Sequence, residues 1–387
     1  MKKKILIIFG TRPEAIKLAP LILALKKENA FKTIVCVTAQ HRQMLDQVLS
    51  FFGIAPDIDL NIMRQNQSIE ELTATMFAKF TPVIRKVSPG MVIVQGDTTT
   101  TFISALAAFY QNVPVGHVEA GLRTHDIYAP FPEELNRQFV SRIAQYNFAP
   151  TGTAVKDLLA EGINKKSIFK TGNTVVDAMK LGIRIIKTNK SLRRKLGQWF
   201  NTAIDKDNSV IAKESKLILI TGHRRESFGK GFQNICSAIK KLSSLFPSHL
   251  FVYPVHLNPN VQKPVYKLLG NISNVKLIKP VDYAQMLFLM SKSYLILTDS
   301  GGIQEEAPSL KIPVLVMRDK TERPEGIQIG CCKLVGNDKD SIVKTAKRVL
   351  TSPKLYRSMQ QGKNPYGDGK ASERIVNILK KELSFFS

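Results

Sequence analysis

Short apolar runs alternate along this chain with longer segments whose apolar residues recur every three or four positions. Strands are expected at residues 3–9, 33–38, 91–95, 113–118, 167–170, 217–220, 250–255, 275–278, 294–298 and 312–317. The segments between them read as helices. The first carries an apolar stripe at Ile16, Leu18, Leu21, Ile22 and Leu25, the spacing of one buried helical face. Other helices are expected from Gln40 to Leu49, over 69–87, after Asp97 to Tyr110, from Pro130 to about Ala144, and at 232–245, 284–291, 340–350 and 371–383. Residues 187–215 are polar, basic and weakly patterned. Regular strand–helix alternation predicts α/β architecture with parallel, doubly wound sheets. The chain falls into two halves of similar size, with polar turns at the strand ends of both, which suggests a cleft between them.

The strand ends carry the candidate chemistry. Asp299-Ser300-Gly301-Gly302-Ile303-Gln304-Glu305-Glu306 follows one apolar strand. A strand that opens through glycines into a helix points free N–H groups outward and can hold a phosphate. Thr11-Arg12-Pro13-Glu14 follows the first strand and matches a capping box, with Lys17 one turn further on. Asp97 and Glu119 end neighbouring strands, the edge at which ligands bind in such sheets. Glu133 and Glu134 sit in a helix's first turn, His223 follows another strand, and Arg323 comes late in the chain. Arg and Lys at a helix start suit a diphosphate. Carboxylates gathered in one cleft acquire different pKa values and can serve as acid and base. Plainer roles are open for the same residues: a backbone turn for the glycines, dipole complementation for Glu133 and Glu134, and a surface ion pair for His223-Arg224-Arg225.

Charge and composition narrow the field. The net charge is +25 over 387 residues, which fits nucleic acid, an anionic substrate or a membrane surface. The positive charge is spread along the chain without interleaved aromatics, and its densest part, Arg184 to Lys195, reads as a solvated basic helix. No nucleic-acid partner and no membrane insertion are expected, since no apolar run nears the roughly 18 residues a span needs. The start, Met1-Lys2-Lys3-Lys4 then Ile5–Phe9, has too short an apolar run for a signal peptide, so a cytoplasmic location is expected. The four cysteines lack CxxC spacing and the six histidines lack HExxH; free thiols, no metal site and no cofactor are expected. GxGxxG and GxxxxGK[ST] are both absent, which argues against a dinucleotide oxidoreductase and a P-loop NTPase.

Taken together, the motifs resemble the non-hydrolysing bacterial UDP-N-acetylglucosamine 2-epimerase family. The resemblance runs through Gly10-Thr11-Arg12-Pro13-Glu14-Ala15-Ile16-Lys17, Gln40 to Gln47, Gly96-Asp97-Thr98-Thr99-Thr100-Thr101, His117 to Thr124, Thr221 to Glu226, the 299–306 stretch, Thr321 to Glu325 and Asn364 to Gly369. It implies two Rossmann-like domains of the GT-B type: 1–172, with a C-terminal helix at about 366–387 packing back on it, and 173–365. It implies reversible conversion of UDP-GlcNAc and UDP-ManNAc through 2-acetamidoglucal, supplying ManNAc for surface polysaccharide. Asp97, Glu119 and Glu133 would be the catalytic carboxylates, with the C2 base unassigned among them. Arg12, Lys17 and His223 would hold or assist the diphosphate. Ser300, Gly301 and Gly302 would bind phosphate, Glu306 the ribose, and Arg323 the nucleotide-sugar pocket. The resemblance also implies a homodimer and, for some members, a second UDP-GlcNAc as activator, here at Gln43, Arg224 and His256. The sequence departs from the family pattern at His125-Asp126, where Gly-Asn is common, at Phe131 for a frequent Trp, and at Lys320 for the usual Thr. A hydrolysing epimerase and a GT-B glycosyltransferase are the alternatives.

Overall fold

The structure, a computed structural model, describes residues 2–38, 42–62, 67–204, 215–222, 224 and 228–384. It divides into two compact units, Met1–Leu181 with Tyr366–Ser387, and Gly182–Pro365. The division falls inside the helix Thr174–Thr188 rather than at Gly172.

The first unit is built on strands β1 (Lys3–Phe9), β2 (Phe31–Val37), β3 (Ile58–Asp59), β4 (Met91–Gln95), β5 (Val115–Val118), β6 (Tyr146–Ala149) and β7 (Ile168–Lys170). They lie in the order β3-β2-β1-β4-β5-β6-β7, and every pairing is parallel. Ile5 to Phe9 are wholly buried, as a parallel strand covered by helices on both faces requires. The helix Arg12–Lys27 buries Leu18, Leu21, Ile22 and Leu25 of the stripe expected from the sequence, while Ile16 is only partly buried. The direction of winding reverses between β1 and β4. Gly10-Thr11-Arg12 leaves the carboxyl end of β1 beside Gly96-Asp97 at the end of β4, which is where such sheets open a crevice. Gly10 has to be glycine here, because an added Cβ would collide with the Thr38 hydroxyl.

The chain's last helix, Ala371–Ser384, returns to this unit and rests against Arg12–Lys27. Asp177 fixes its start: Ser372 N–H donates to Oδ1 at 2.8 Å and Ala371 N–H to Oδ2 at 3.2 Å. A carboxylate from elsewhere in the chain thus does the work of a local N-cap.

The second unit repeats the plan with β8 (Leu217–Thr221), β9 (Leu250–Pro254), β10 (Val275–Ile278), β11 (Ser293–Thr298), β12 (Val314–Val316) and β13 (Cys332–Leu334). The order is β10-β9-β8-β11-β12-β13, again all parallel. Its switch point lies between β8 and β11, where the Thr221 and Thr298 hydroxyls meet at 2.6 Å. One apolar cluster covers each face of the sheet, around Phe232 and Ile239 on one side and Leu289 and Ile303 on the other. The helix Lys190–Ile204 lies in the stretch that read as weakly patterned; it buries only Leu196, Phe200 and Ile204 among its basic residues. All four cysteines are free and buried. Among the described residues, no helix is long and apolar enough to cross a membrane.

Asp177→Ala should lower the free energy of unfolding by about 1–3 kcal/mol, because two buried N–H groups lose their acceptor. Urea titration measures this, with proteolysis near residue 366 as a second readout of helix release. A change below about 0.3 kcal/mol would mean the Ala371–Ser384 helix docks without this cap.

Candidate active site

In the first unit, three of the sequence-derived carboxylates stand at or next to strand ends. Asp97 follows β4 and pairs with Arg137: its Oδ2 accepts from Nε at 2.8 Å and from Nη2 at 2.6 Å. Asn136 Nδ2 donates to the Asp97 carbonyl at 2.9 Å. Backbone and side chain of Asp97 are therefore both held from the helix Glu133–Ile143. Glu133, half-buried at the start of that helix, is pushed above the ordinary carboxylate range by burial and by the charge of Asp97, against the pull of Arg137. Two neighbouring carboxyls thus sit in unlike settings, one ion-paired with Arg137 and one with its pKa raised by burial.

Glu119 follows β5 with φ at +67°, a left-handed conformation unusual for a residue with a side chain. Its carboxylate accepts from Lys17 Nζ at 2.6 Å, Gln95 Nε2 at 2.6 Å and Asn173 Nδ2 at 2.9 Å. Such backbone strain costs on the order of 1–3 kcal/mol and persists where surroundings over-determine it; three donors do so here, Lys17 from the helix Arg12–Lys27, Gln95 from the end of β4 and Asn173 from just after β7. Below the crevice, His117 Nε2 meets the Gly96 carbonyl at 2.7 Å. A carbonyl only accepts, so Nε2 carries the proton. Burial pushes His117 down to about 4, and the neutral ring serves as a fixed donor that shapes the turn before Asp97.

In the second unit, Asp299 is buried after β11, and its Oδ2 accepts the Arg224 N–H at 2.8 Å. Ser300 adopts extended backbone, and its side chain makes no capping bond to the helix Gly301–Glu306. The Ser300 N–H donates to Thr298 Oγ1 at 2.9 Å, and the first N–H groups of a helix have no acceptor within the helix itself. Arg323 packs against Gly301 and donates from Nε to Glu305 at 2.8 Å. Burial opposes ionisation of Glu322, yet the Arg318 hydrogen bond and the charges of Arg323 and Arg318 outweigh it and hold its carboxyl at about 2. Glu306 is buried and accepts the Tyr283 hydroxyl at 3.0 Å.

The first unit thus brings Lys17, Glu119, Asp97 and Glu133 to one edge of its sheet, with partly buried Arg12 in the turn after β1. Lys17, expected on a diphosphate, is ion-paired with Glu119 at 2.6 Å. Exposed Gln43 belongs to the first unit, and Arg224 and His256 to the second. His256 Nδ1 accepts the Asn258 N–H at 3.1 Å. His223 lies outside the described residues. Arg137, Gln95, Asn173 and Tyr283 are the groups that sequence reasoning missed. Arg137 was within reach, since it lies four positions after Glu133 on one helix and so shares its face. Among the described residues, no cluster of three or more His, Cys, Asp or Glu could hold a metal ion.

Gly301 and Gly302 are adjacent yet differ in surroundings. A Cβ on Gly301 would lie 2.6 Å from Arg323 Cζ, whereas one on Gly302 meets nothing nearer than 4.0 Å. Gly301→Ala should therefore displace the guanidinium from Glu305 and cost about 1–3 kcal/mol of stability, with Gly302→Ala much nearer neutral. Denaturant titration of both variants tests this, and equal costs would contradict it.

The family model described as UDP-N-acetylglucosamine 2-epimerase matches residues 23–380. The chain is 51% identical over 377 residues to the UDP-N-acetylglucosamine 2-epimerase of Escherichia coli O157:H7, covering 97% of this chain and 98% of that protein. Against the Campylobacter jejuni protein of the same name it is 51% identical over 382 residues, covering 98% of each. The solved structure of UDP-GlcNAc 2-epimerase from Neisseria meningitidis, bound to UDP-GlcNAc, is similar with a TM-score of 0.91 and 49% identity, over 98% of this chain and 100% of that one. The Methanocaldococcus jannaschii enzyme, in complex with UDP-GlcNAc and UDP, follows with a TM-score of 0.81 and 36% identity, over 98% and 99% of the two chains. With the paired strand-end carboxylates and the Ser-Gly-Gly turn in place, these matches establish that the chain belongs to the UDP-N-acetylglucosamine 2-epimerase family.

Proposed function

We propose that this chain interconverts UDP-N-acetylglucosamine and UDP-N-acetylmannosamine by epimerisation at C2 without net hydrolysis. The observation that carries the reading is the carboxyl pair Asp97 and Glu133: Asp97 is tied to Arg137, and half-buried Glu133 begins the helix that carries Arg137, its pKa raised by burial and the charge of Asp97. Such a pair can take a proton from one face of a carbon and return one to the other. The bound ligands of the Neisseria and Methanocaldococcus relatives support the choice of substrate.

In this scheme Asp97 removes the C2 proton and the C1–O bond breaks. The bonding pair leaves with UDP, and 2-acetamidoglucal remains. Glu133 returns a proton to C2 on the opposite face while a UDP oxygen adds back to C1, so atoms and charge balance. Glu119 holds Lys17 at the crevice, where the ammonium and Arg12 offset the leaving group's charge. His223 is assigned to the same task on sequence grounds alone. Gly301 and Gly302 offer N–H groups to phosphate and Ser300 its hydroxyl, since the Ser300 N–H donates to Thr298 Oγ1 at 2.9 Å. Arg323 fixes that turn, and Glu306 takes the ribose hydroxyls. A homodimer, a second UDP-GlcNAc bound as activator through Gln43, Arg224 and His256, a cytoplasmic location and supply of ManNAc for surface polysaccharide complete the proposal.

Incubation of the protein with UDP-GlcNAc, followed by separation of the nucleotides, tests the reading. The expected result is a constant mixture of the two UDP-sugars with little free UDP. Stoichiometric UDP with free ManNAc would mean a hydrolysing enzyme, and transfer of GlcNAc to an added acceptor would mean a glycosyltransferase. Asp97→Asn should lower turnover at least about 1,000-fold while UDP affinity stays within about threefold. Retained turnover would remove Asp97 from the chemistry.

A further inference from the structure

We propose that Glu14 is a positioning residue whose buried carboxylate ties the turn carrying Arg12 to the turn carrying Asp97. The inference rests on the reading of Asp97 as the group that acts at C2.

Glu14 is 1% exposed. Its Oε2 accepts the N–H groups of Gly10 at 3.1 Å and Thr11 at 2.7 Å. Its Oε1 accepts the hydroxyls of Thr98 at 2.8 Å and Thr101 at 3.1 Å. The Thr11 bond is what a helix cap requires. The bonds to Oε1 do nothing for that helix. They reach residues 84 and 87 positions away, across the switch between β1 and β4.

On the far side, the tie encloses Asp97. Thr101 Oγ1 lies 2.7 Å from the Gln95 carbonyl, and Thr98 Oγ1 accepts the Thr101 N–H at 3.1 Å. Residues on both sides of Asp97 are thus fixed to one another and, through Glu14, to the turn before Arg12. A catalytic carboxylate displaced by about 1 Å can lose on the order of 100-fold in rate, so this bridge bears on turnover more than on substrate affinity.

The hydrogen-bond count indicates which replacement should work. Thr101 has one hydroxyl proton and three acceptors within reach, Gln95 O, Glu14 Oε1 and Thr98 Oγ1. When that proton goes to Gln95, a donor on residue 14 completes the second contact. Burial raises the Glu14 pKa toward the protonated form that supplies one. A glutamine can do the same, with its oxygen toward Gly10 and Thr11 and its amide toward the threonines. An alanine cannot bridge, and an aspartate is one methylene too short.

The test compares Glu14→Ala, Glu14→Asp and Glu14→Gln in the full chain. For Ala and Asp, kcat should fall about 100-fold with KM for UDP-GlcNAc within about threefold, while Gln stays within about fivefold of wild type. Amide hydrogen exchange at residues 97–101 should speed up at least about tenfold in Ala and Asp and stay near wild type in Gln. That second readout needs no activity: an inactive wild type would sink the functional reading, while exchange still decides the tie. Should Ala and Asp fail to fold, Thr101→Val cuts the bridge from the other side and leaves the first helix capped; kcat should then fall about tenfold with KM little changed. Wild-type kcat in Glu14→Ala, a Gln variant as impaired as Ala, or unchanged exchange at 97–101 would overturn the proposal.

Discussion

Carboxylates held at the carboxyl edge of a parallel sheet are the constraint on which the first unit depends. Glu14, Glu119 and Glu134 are all buried there, and a buried carboxylate is costly unless donors surround it. Each therefore recruits partners from elements distant in sequence. Glu14 draws on the ends of β1 and β4. Glu119 draws on Lys17, Gln95 and Asn173. Glu134 accepts from Thr124 N–H at 3.1 Å and Arg137 Nη1 at 3.0 Å. Satisfying these groups fixes the positions of Asp97 and Glu133, the two that stay partly exposed.

The second unit meets a similar demand with an arginine. Arg323 lies against Gly301, pairs with Glu305 and helps hold Glu322 ionised. The turn after β11 is consequently braced by Arg323 on one side.

Much of this was legible before any coordinates. The long apolar strands, the strand-end turns and the capping residue Glu14 follow from local pattern, because continuous burial and capping are local requirements. β6 was not legible: it has four residues, and buried Asn147 interrupts its apolar run while donating to the carbonyls of Ser141 and Ala144. The helix Lys190–Ile204 was obscured because a single narrow stripe is buried among basic residues. At the site, residue types could be read but pairings could not. Nothing local says that Lys17 meets Glu119, 102 positions away, or that His117 donates to Gly96. Such pairings are products of the sheet order, which sequence patterning leaves open.

The most direct measurement of the central claim is proton NMR of UDP-GlcNAc incubated with the protein in deuterium oxide. The account predicts deuterium at C2 in both UDP-sugars of the mixture, because the carbon loses its proton and takes one back from a carboxyl in exchange with solvent. A C2 that keeps its proton while the two sugars interconvert, or fails to exchange at all, would contradict it.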